Sequence, residues 1–377
     1  MDELDRQLLN SIQADVPLVV RPFGQLAGRL GCDEAAVIKR IAALRQAGII
    51  REISAIFDAV ALGYRQALVA LGVPADGLDQ AGQIAASHPG VSHCYGRSGE
   101  MNLWLTLATS PGSRLGLEAS AALLARLSGA TRHMVLPTLR RYKLQVRFDM
   151  EGDKPTSAPG TGSAAPQEQG ACPRSSNTHQ HAPDPSANSG DRHLRPGGTA
   201  RRDYGASPLP PQLTDTQIRV IRALQIDLPG QTEPFAPLAA AEALDVDTLL
   251  DCGRRMLESG HMRRYAAVLH HRAAGGKVNV LVAWAADPAQ ADADGPRAAQ
   301  VAGISHCYLR PAGPGWPYNL YTMIHGRSQQ DCRLAIETIL ATTSLTGHVE
   351  LWTTAEFKKR RVRLFGPEEE QWEAKYA

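Results

Sequence analysis

The sequence predicts an α+β chain made of two similar halves. Each half is a winged helix-turn-helix followed by a ferredoxin-like βαββαβ domain, and a disordered linker joins them. Three observations carry that expectation. First, Val91-Ser92-His93-Cys94-Tyr95-Gly96-Arg97 ahead of Asn102-Leu103-Trp104 returns as Ile304-Ser305-His306-Cys307-Tyr308-Leu309-Arg310 ahead of Asn319-Leu320-Tyr321, which marks an internal duplication. Second, the hydrophobic period changes from helical to alternating partway through each half. Third, residues 151–210 hold 9 Pro and 8 Gly in 60 positions, with Leu194 and Leu209 as the only large aliphatic residues, so this stretch cannot bury a core.

In the first half, Leu4, Leu8, Leu9 and Ile12 recur at helical spacing, and 23–30 and 33–46 read as two further helices around a turn at Gly31. Gly48 closes the third helix, and 49–57 alternates as a strand. Strands follow over 67–73, 91–97 and 102–109 and in the segments MVLPTL and KLQVRF, with helices over 79–88 and 113–127 between them. The second half repeats the order with strands at 278–285, 304–310, 319–326 and 348–354 and helices at 288–301 and 328–341. The predicted boundaries are helix-turn-helix domains at 1–60 and 211–272, ferredoxin-like domains at 61–150 and 273–366, and a linker at 151–210. His93 to His306 is 213 residues and Asn102 to Asn319 is 217, so the second copy carries four extra residues in its PAGPGWPY loop.

Composition excludes several classes. Lys and Arg total 40 against 38 Asp and Glu, so a net +2 gives no global field to gather nucleic acid or anionic lipid. MDELDRQLLN lacks the basic start and apolar run of a secretion signal, and no stretch approaches the roughly 18 apolar residues of a membrane span. The 6 cysteines (Cys32, Cys94, Cys172, Cys252, Cys307, Cys332) form no CxxC pair, which predicts a reduced, cytoplasmic protein without a metal site.

A helix-turn-helix ahead of a ferredoxin-like domain is the layout of AsnC/Lrp-type transcription regulators. Charge speaks against DNA as a partner. Residues 1–52 hold seven basic and seven acidic side chains, and residues 212–264 hold six and eight. Asp33, Glu34, Asp245, Asp247 and Asp251 crowd the starts of the helices that would face phosphates, leaving Lys39, Arg40 and Arg45 as the features favouring DNA.

The repeated HCYxR is more informative. Strand alternation puts His93, Tyr95 and Arg97 on one sheet face and Cys94 on the other, and the second copy does the same with His306, Tyr308, Arg310 and Cys307. Imidazole, phenol and guanidinium in a row suit carboxylate recognition, because Arg pairs bidentately, Tyr donates and His titrates near neutrality. The bland alternative is a polar network that pins the sheet. Arg263-Arg264-Tyr265, His270-His271-Arg272, Trp316-Pro317-Tyr318-Asn319 and the basic segments around Lys143 and Lys358 extend the cluster. Aromatic rings beside cations fit a planar polyanion.

These residues carry a family resemblance. IREISAIFDAVALGY (50–64), HPGVSHCYGR (88–97) and LPTLRRYKLQVRFD (136–149), with MRRYAAVLHHR (262–272), ISHCYLRPAGPGWPYNLYTMIHGRS (304–328) and EFKKRRVRLF (356–365), resemble the siroheme decarboxylases, which are AsnC/Lrp-like enzymes of two related subunits or fused halves. The resemblance implies a carboxy-lyase that converts the C12 and C18 acetates of siroheme to methyls, for heme d1 or alternative heme synthesis, with no cofactor beyond the iron the substrate brings. It implies His93 or His306 as proton donor, with Tyr95 and Tyr308 as second donors. Substrate contacts would come from Arg97, Arg310, Arg263, Arg264, Lys143, Lys358, Asn102, Asn319 and Tyr318, with His271 toward the ring or its iron. It also implies a homodimer or a pseudo-symmetric assembly of the halves. A DNA-binding regulator and a non-catalytic tetrapyrrole carrier are the alternatives. The family's Leu-Gly-Tyr after that histidine is Ala274-Gly275-Gly276 here, and the first half lacks the WPY loop.

Overall fold

Each helix-turn-helix is set by local chemistry. In the computed structural model, which describes residues 1–144, 212–269 and 278–377, α1 (Glu3–Ala14) begins at a capping box between Asp2 and Asp5. Next, α2 (Pro22–Leu30) has Pro at its first position and stops where Gly31 turns left-handed at φ 67°. Then come α3 (Glu34–Gln46) and the wing strand β1 (Ile50–Phe57). The first ferredoxin-like unit runs β2 (Arg65–Gly72), α4 (Leu78–Ser87), β3 (Val91–Arg97), β4 (Leu103–Thr109), α5 (Gly116–Leu127) and β5 (Arg132–Pro137), with a short β6 (Arg140–Leu144) beyond it. The second half repeats this as α6 (Asp215–Leu224), α7 (Phe235–Ala241), α8 (Val246–Glu258), β7 (Met262–Leu269), β8 (Val278–Ala285), α9 (Ala291–Gln300), β9 (Ile304–Leu309), β10 (Leu320–Gly326), α10 (Gln329–Thr342) and β11 (Gly347–Lys359). A last helix, α11 (Glu368–Tyr376), lies past the predicted end of the second domain at 366. The predicted linker at 151–210, and His271, lie outside the described residues.

The two halves do not sit apart. Their wings pair as an antiparallel ribbon with Ile53 opposite Ala267, and both helix-turn-helix units share one core in which Leu8, Phe23, Ile41, Leu224, Phe235 and Tyr265 are buried. Each ferredoxin-like unit has the strand order fourth-first-third-second, β5-β2-β4-β3 and β11-β8-β10-β9. The last strand of each unit then runs on into the other half. After pairing with β8 as far as Trp352, β11 continues along β3, with Thr353 opposite Arg97, Glu356 opposite Tyr95 and Lys359 opposite His93. In the same way β6 pairs with β9, placing Arg141 opposite Tyr308 and Lys143 opposite Cys307.

This reciprocal exchange answers an edge problem, since β3 and β9 would otherwise present unpaired backbone groups. The sequence places the end of the final strand at 354; the observed strand reaches Lys359 because β3 offers it a partner. Each crossing strand also seats an aromatic ring on a glycine of the other half. A Cβ at Gly82 of α4 would overlap the Phe357 ring, and one at Gly295 of α9 would overlap Tyr142. Between the sheets lies an apolar interior containing Ala70, Trp104, Leu136, Leu281, Trp316, Tyr321 and Leu351. The described residues therefore belong to one compact unit.

Candidate active site

The motif rows lie on the inter-sheet faces of β3 and β9. Cys94 and Cys307 point the other way, into helix-packed cores, with Sγ 3.8 Å from the Gly82 carbonyl and 3.5 Å from the Gly295 carbonyl. Alternation then turns His93, Tyr95 and Arg97, and likewise His306, Tyr308 and Arg310, inward.

The geometry of the two rows is nearly the same. The His93 and Tyr95 rings are 6.3 Å apart and 27° from parallel, and those of His306 and Tyr308 are 6.1 Å apart and 31° from parallel. The preceding serine orients each imidazole: Ser92 Oγ is 3.0 Å from His93 Nδ1, and Ser305 Oγ is 2.7 Å from His306 Nδ1. Beneath the phenols lie guanidinium groups, Arg97 5.4 Å from the Tyr95 ring and Arg310 5.1 Å from the Tyr308 ring.

Arg97 and Arg310 are 3% and 8% exposed. Arg97 Nη1 donates to the Leu351 carbonyl and Thr353 Oγ1, each at 3.0 Å, and Arg310 Nη1 donates to the Leu136 carbonyl at 2.6 Å. Each cation thus ties one half to the last strand of the other. Both Nε atoms are buried without a partner. Burial lowers both guanidinium pKa values to about 10. Burial, followed by the Glu356 charge, pushes the Tyr95 hydroxyl up to about 12, and burial raises Tyr308 as well. His93 is held below its ordinary value by burial and then by Lys359.

Charged side chains edge the rows. Arg141 stands opposite Tyr308 across the strand pair, and the Arg263 charge reaches Tyr308 from the wing ribbon. Arg263 is held by Asp58 at 2.8 Å, a contact between the two halves. Around the first row the corresponding groups are Glu356 opposite Tyr95, Lys359 opposite His93, and Arg51, whose charge reaches His93. Sequence reasoning passed over Arg141, Arg51, Glu356 and Lys359 as site residues. The signal was there in the matching Tyr142-Lys143 and Phe357-Lys358 pairs, each preceded by a charge.

Several expected ligands are used otherwise. Lys143 and Lys358 were expected to clamp carboxylates, but they lie on the helix-packed faces. Lys358 Nζ donates to the Ala86 and His88 carbonyls at 2.7 and 2.9 Å, and Lys143 Nζ to the Ala299 carbonyl at 2.8 Å, so both cap helix C-termini. The amides of Asn102 and Asn319 face backbone. Asn102 exchanges two bonds of 2.9 Å with Val73, and Asn319 bonds Ala286 at 2.8 and 3.0 Å, each tying the start of its unit's third strand to the end of the first strand beside it. Tyr318 packs edge-on against Trp316 at 4.9 Å, and Trp316 fills the interior against Trp104. Arg264 Nη1 donates to the Gln13 carbonyl at 3.3 Å. Arg97 and Arg310 form a buried floor under the tyrosines, not an open clamp.

Two of the cations that favoured a DNA interface, Arg40 and Arg45, are committed elsewhere. Arg40 pairs with Asp2 and Asp5, and Arg45 with Asp227 of the other half. Arg254 of α8 pairs with Asp251 and donates to the Leu18 carbonyl. Among the described residues no helix is long and apolar enough to cross a membrane, and no group of three His, Cys, Asp or Glu could hold a metal ion.

The fold and paired rows define a duplicated protein of the AsnC-like class. The AsnC-like ligand binding domain model matches residues 61–143 and 273–358, and the siroheme decarboxylase NirDL-like HTH domain model matches 5–51. The siroheme decarboxylase of Hydrogenobacter thermophilus is 31% identical over 371 residues, covering 98% of this chain and 97% of that protein. The siroheme decarboxylase beta subunit of Desulfovibrio desulfuricans is 38% identical over 155 residues, 41% of this chain and 98% of that one. The crystal structure of the siroheme decarboxylase NirDL in complex with an iron-uroporphyrin III analogue superposes with a TM-score of 0.73 at 28% identity, covering 100% of this chain and 98% of that one. The chain belongs to the siroheme decarboxylase family.

Proposed function

We propose that the chain decarboxylates siroheme, converting the C12 and C18 acetates to methyls and releasing two molecules of carbon dioxide to give 12,18-didecarboxysiroheme. One observation supports this beyond family membership: a histidine and tyrosine on β9 sit together under Arg141 and Arg263, a cationic edge suited to a ring bearing carboxylates.

The chemistry needs an electron sink and a proton. Protonation of a pyrrole carbon turns the macrocycle into an acceptor for the electron pair left when the C–C bond to the departing carboxylate breaks. The exocyclic methylene left by that cleavage takes a proton and becomes a methyl while the ring carbon gives its proton up, so the macrocycle is restored and one proton is consumed for each carbon dioxide released. The proposal assigns proton delivery to His306, oriented by Ser305, with Tyr308 as a second donor. Arg263 and Arg141 would hold the peripheral carboxylates, and Arg310 would keep Tyr308 in place from below. Asp58 keeps Arg263 extended until a substrate carboxylate shares it. In this reading the iron enters with the substrate. A cytoplasmic setting is supported by free, buried Cys94, Cys252, Cys307 and Cys332.

The test is anaerobic incubation of the purified chain with siroheme and analysis by mass spectrometry. Two successive losses of carbon dioxide are expected. An unchanged mass together with salt-sensitive binding to a DNA duplex would overturn the proposal.

A further inference from the structure

The two rows are alike in backbone and unlike in charge. Residues of β6 and β11 correspond at an offset of 215, which aligns Lys143 with Lys358, Tyr142 with Phe357 and Arg141 with Glu356. Arg141 and Glu356 are the cross-strand partners of Tyr308 and Tyr95, so each lies beside the phenol of its row. The wing strands correspond at an offset of 212, from Ile50 and Met262, which aligns Arg51 with Arg263 and Glu52 with Arg264. The second row is therefore edged by Arg141, Arg263 and Arg264. The first is edged by Arg51, Lys359, Glu52 and Glu356, with Glu52 ion-paired to Arg361 at 3.2 Å and Glu356 opposite Tyr95.

We infer that the chain holds one tetrapyrrole, at the second-half row, and that Glu356 is an internal carboxylate occupying, in the first-half row, the position a substrate carboxylate takes in the second. The inference rests on the proposed function for its ligand class. A polycarboxylate entering the first row would bring its own charges against Glu356 and Glu52, which offset Arg51 and Lys359. At the second row the same ligand meets Arg141 and Arg263, and among the described residues Arg263 is paired with Asp58. The first row keeps its His-Tyr-Arg frame because Arg97 is also a tie to β11, a structural duty that persists without substrate.

The experiment is a spectrophotometric titration of the full chain with iron uroporphyrin III. Wild type is expected to bind one molecule per chain, and Glu356→Arg two, with the added site tightened by about tenfold or more, as a charge-assisted pair warrants. Glu356→Gln should also bind two, the added site more weakly than in Glu356→Arg. Glu356 is solvent-exposed, so both variants should keep the wild-type circular dichroism. Two equal sites in wild type, or a single site in Glu356→Arg, would overturn the inference. The mirror variant Arg141→Glu separates the two readings: loss of its one site supports the second-half assignment, whereas full affinity retained there overturns it. Failure of every form to bind would instead overturn the proposed ligand class.

Discussion

The first-half and second-half rows reproduce the same frame, with ring separations of 6.3 and 6.1 Å and cation–ring distances of 5.4 and 5.1 Å. Their surroundings diverge at positions that do not shape the backbone: a glutamate faces one tyrosine and an arginine the other. Duplication copied the buried parts, whose replacement would unpick a sheet junction, and left the solvent edge free to change charge. What is shared between the rows is therefore a poor guide to chemistry, and what differs is a good one.

That contrast can be broken most sharply at the histidines. His306→Ala should lower single-turnover release of carbon dioxide by about 10²- to 10⁴-fold, the usual contribution of a general acid, and His93→Ala by far less. Equal losses would mean that both rows work. Next in size is the cationic edge. Arg263→Ala should raise KM by about tenfold or more, in line with about 1.5–3 kcal/mol for a charged hydrogen bond, whereas Arg51→Ala should shift it less. For the shared frame, near-equal penalties are expected. Gly82→Ala and Gly295→Ala should each destabilise the chain by about 1–3 kcal/mol through overpacking against Phe357 and Tyr142, measured by urea unfolding.

The smallest effect belongs to a feature described only in the first half. His88 is buried against Trp372 of α11, with ring centroids 4.3 Å apart, and its pKa is lowered from 6.5 to about 4 by burial and then by Lys358. The released histidine binds a proton more readily than the docked one. Stability from docking α11 is thus complete above about 6.5 and declines as pH falls toward about 4. Trp372 emission followed through that window should report release, and His88→Phe should flatten the response.

The helices were legible because their ends are coded locally by Asp2, Thr214, Gly31 and Ser328. The strand repeat was legible because S-H-C-Y-x-R recurs in both halves and puts its His, Tyr and Arg on one face of a strand. The exchange of β6 and β11 was not, since which edge a strand meets is a long-range property and Lys143 or Lys358 alone does not show which face its strand presents. For the same reason the lysines resembled ligands until each was seen on a helix end. Asn102 and Asn319 misled differently: a residue repeated in both halves can repeat because the same strand junction must be tied twice.

The reciprocal strands have a consequence for assembly. Each half supplies an outer strand that the other needs, so joining them in one polypeptide fixes their encounter at an effective concentration that does not fall on dilution. Cutting the chain between 144 and 212 would make that encounter bimolecular. The midpoint of unfolding would then depend more steeply on protein concentration than that of the intact chain. Fusion in this architecture is a device for holding stoichiometry at one to one.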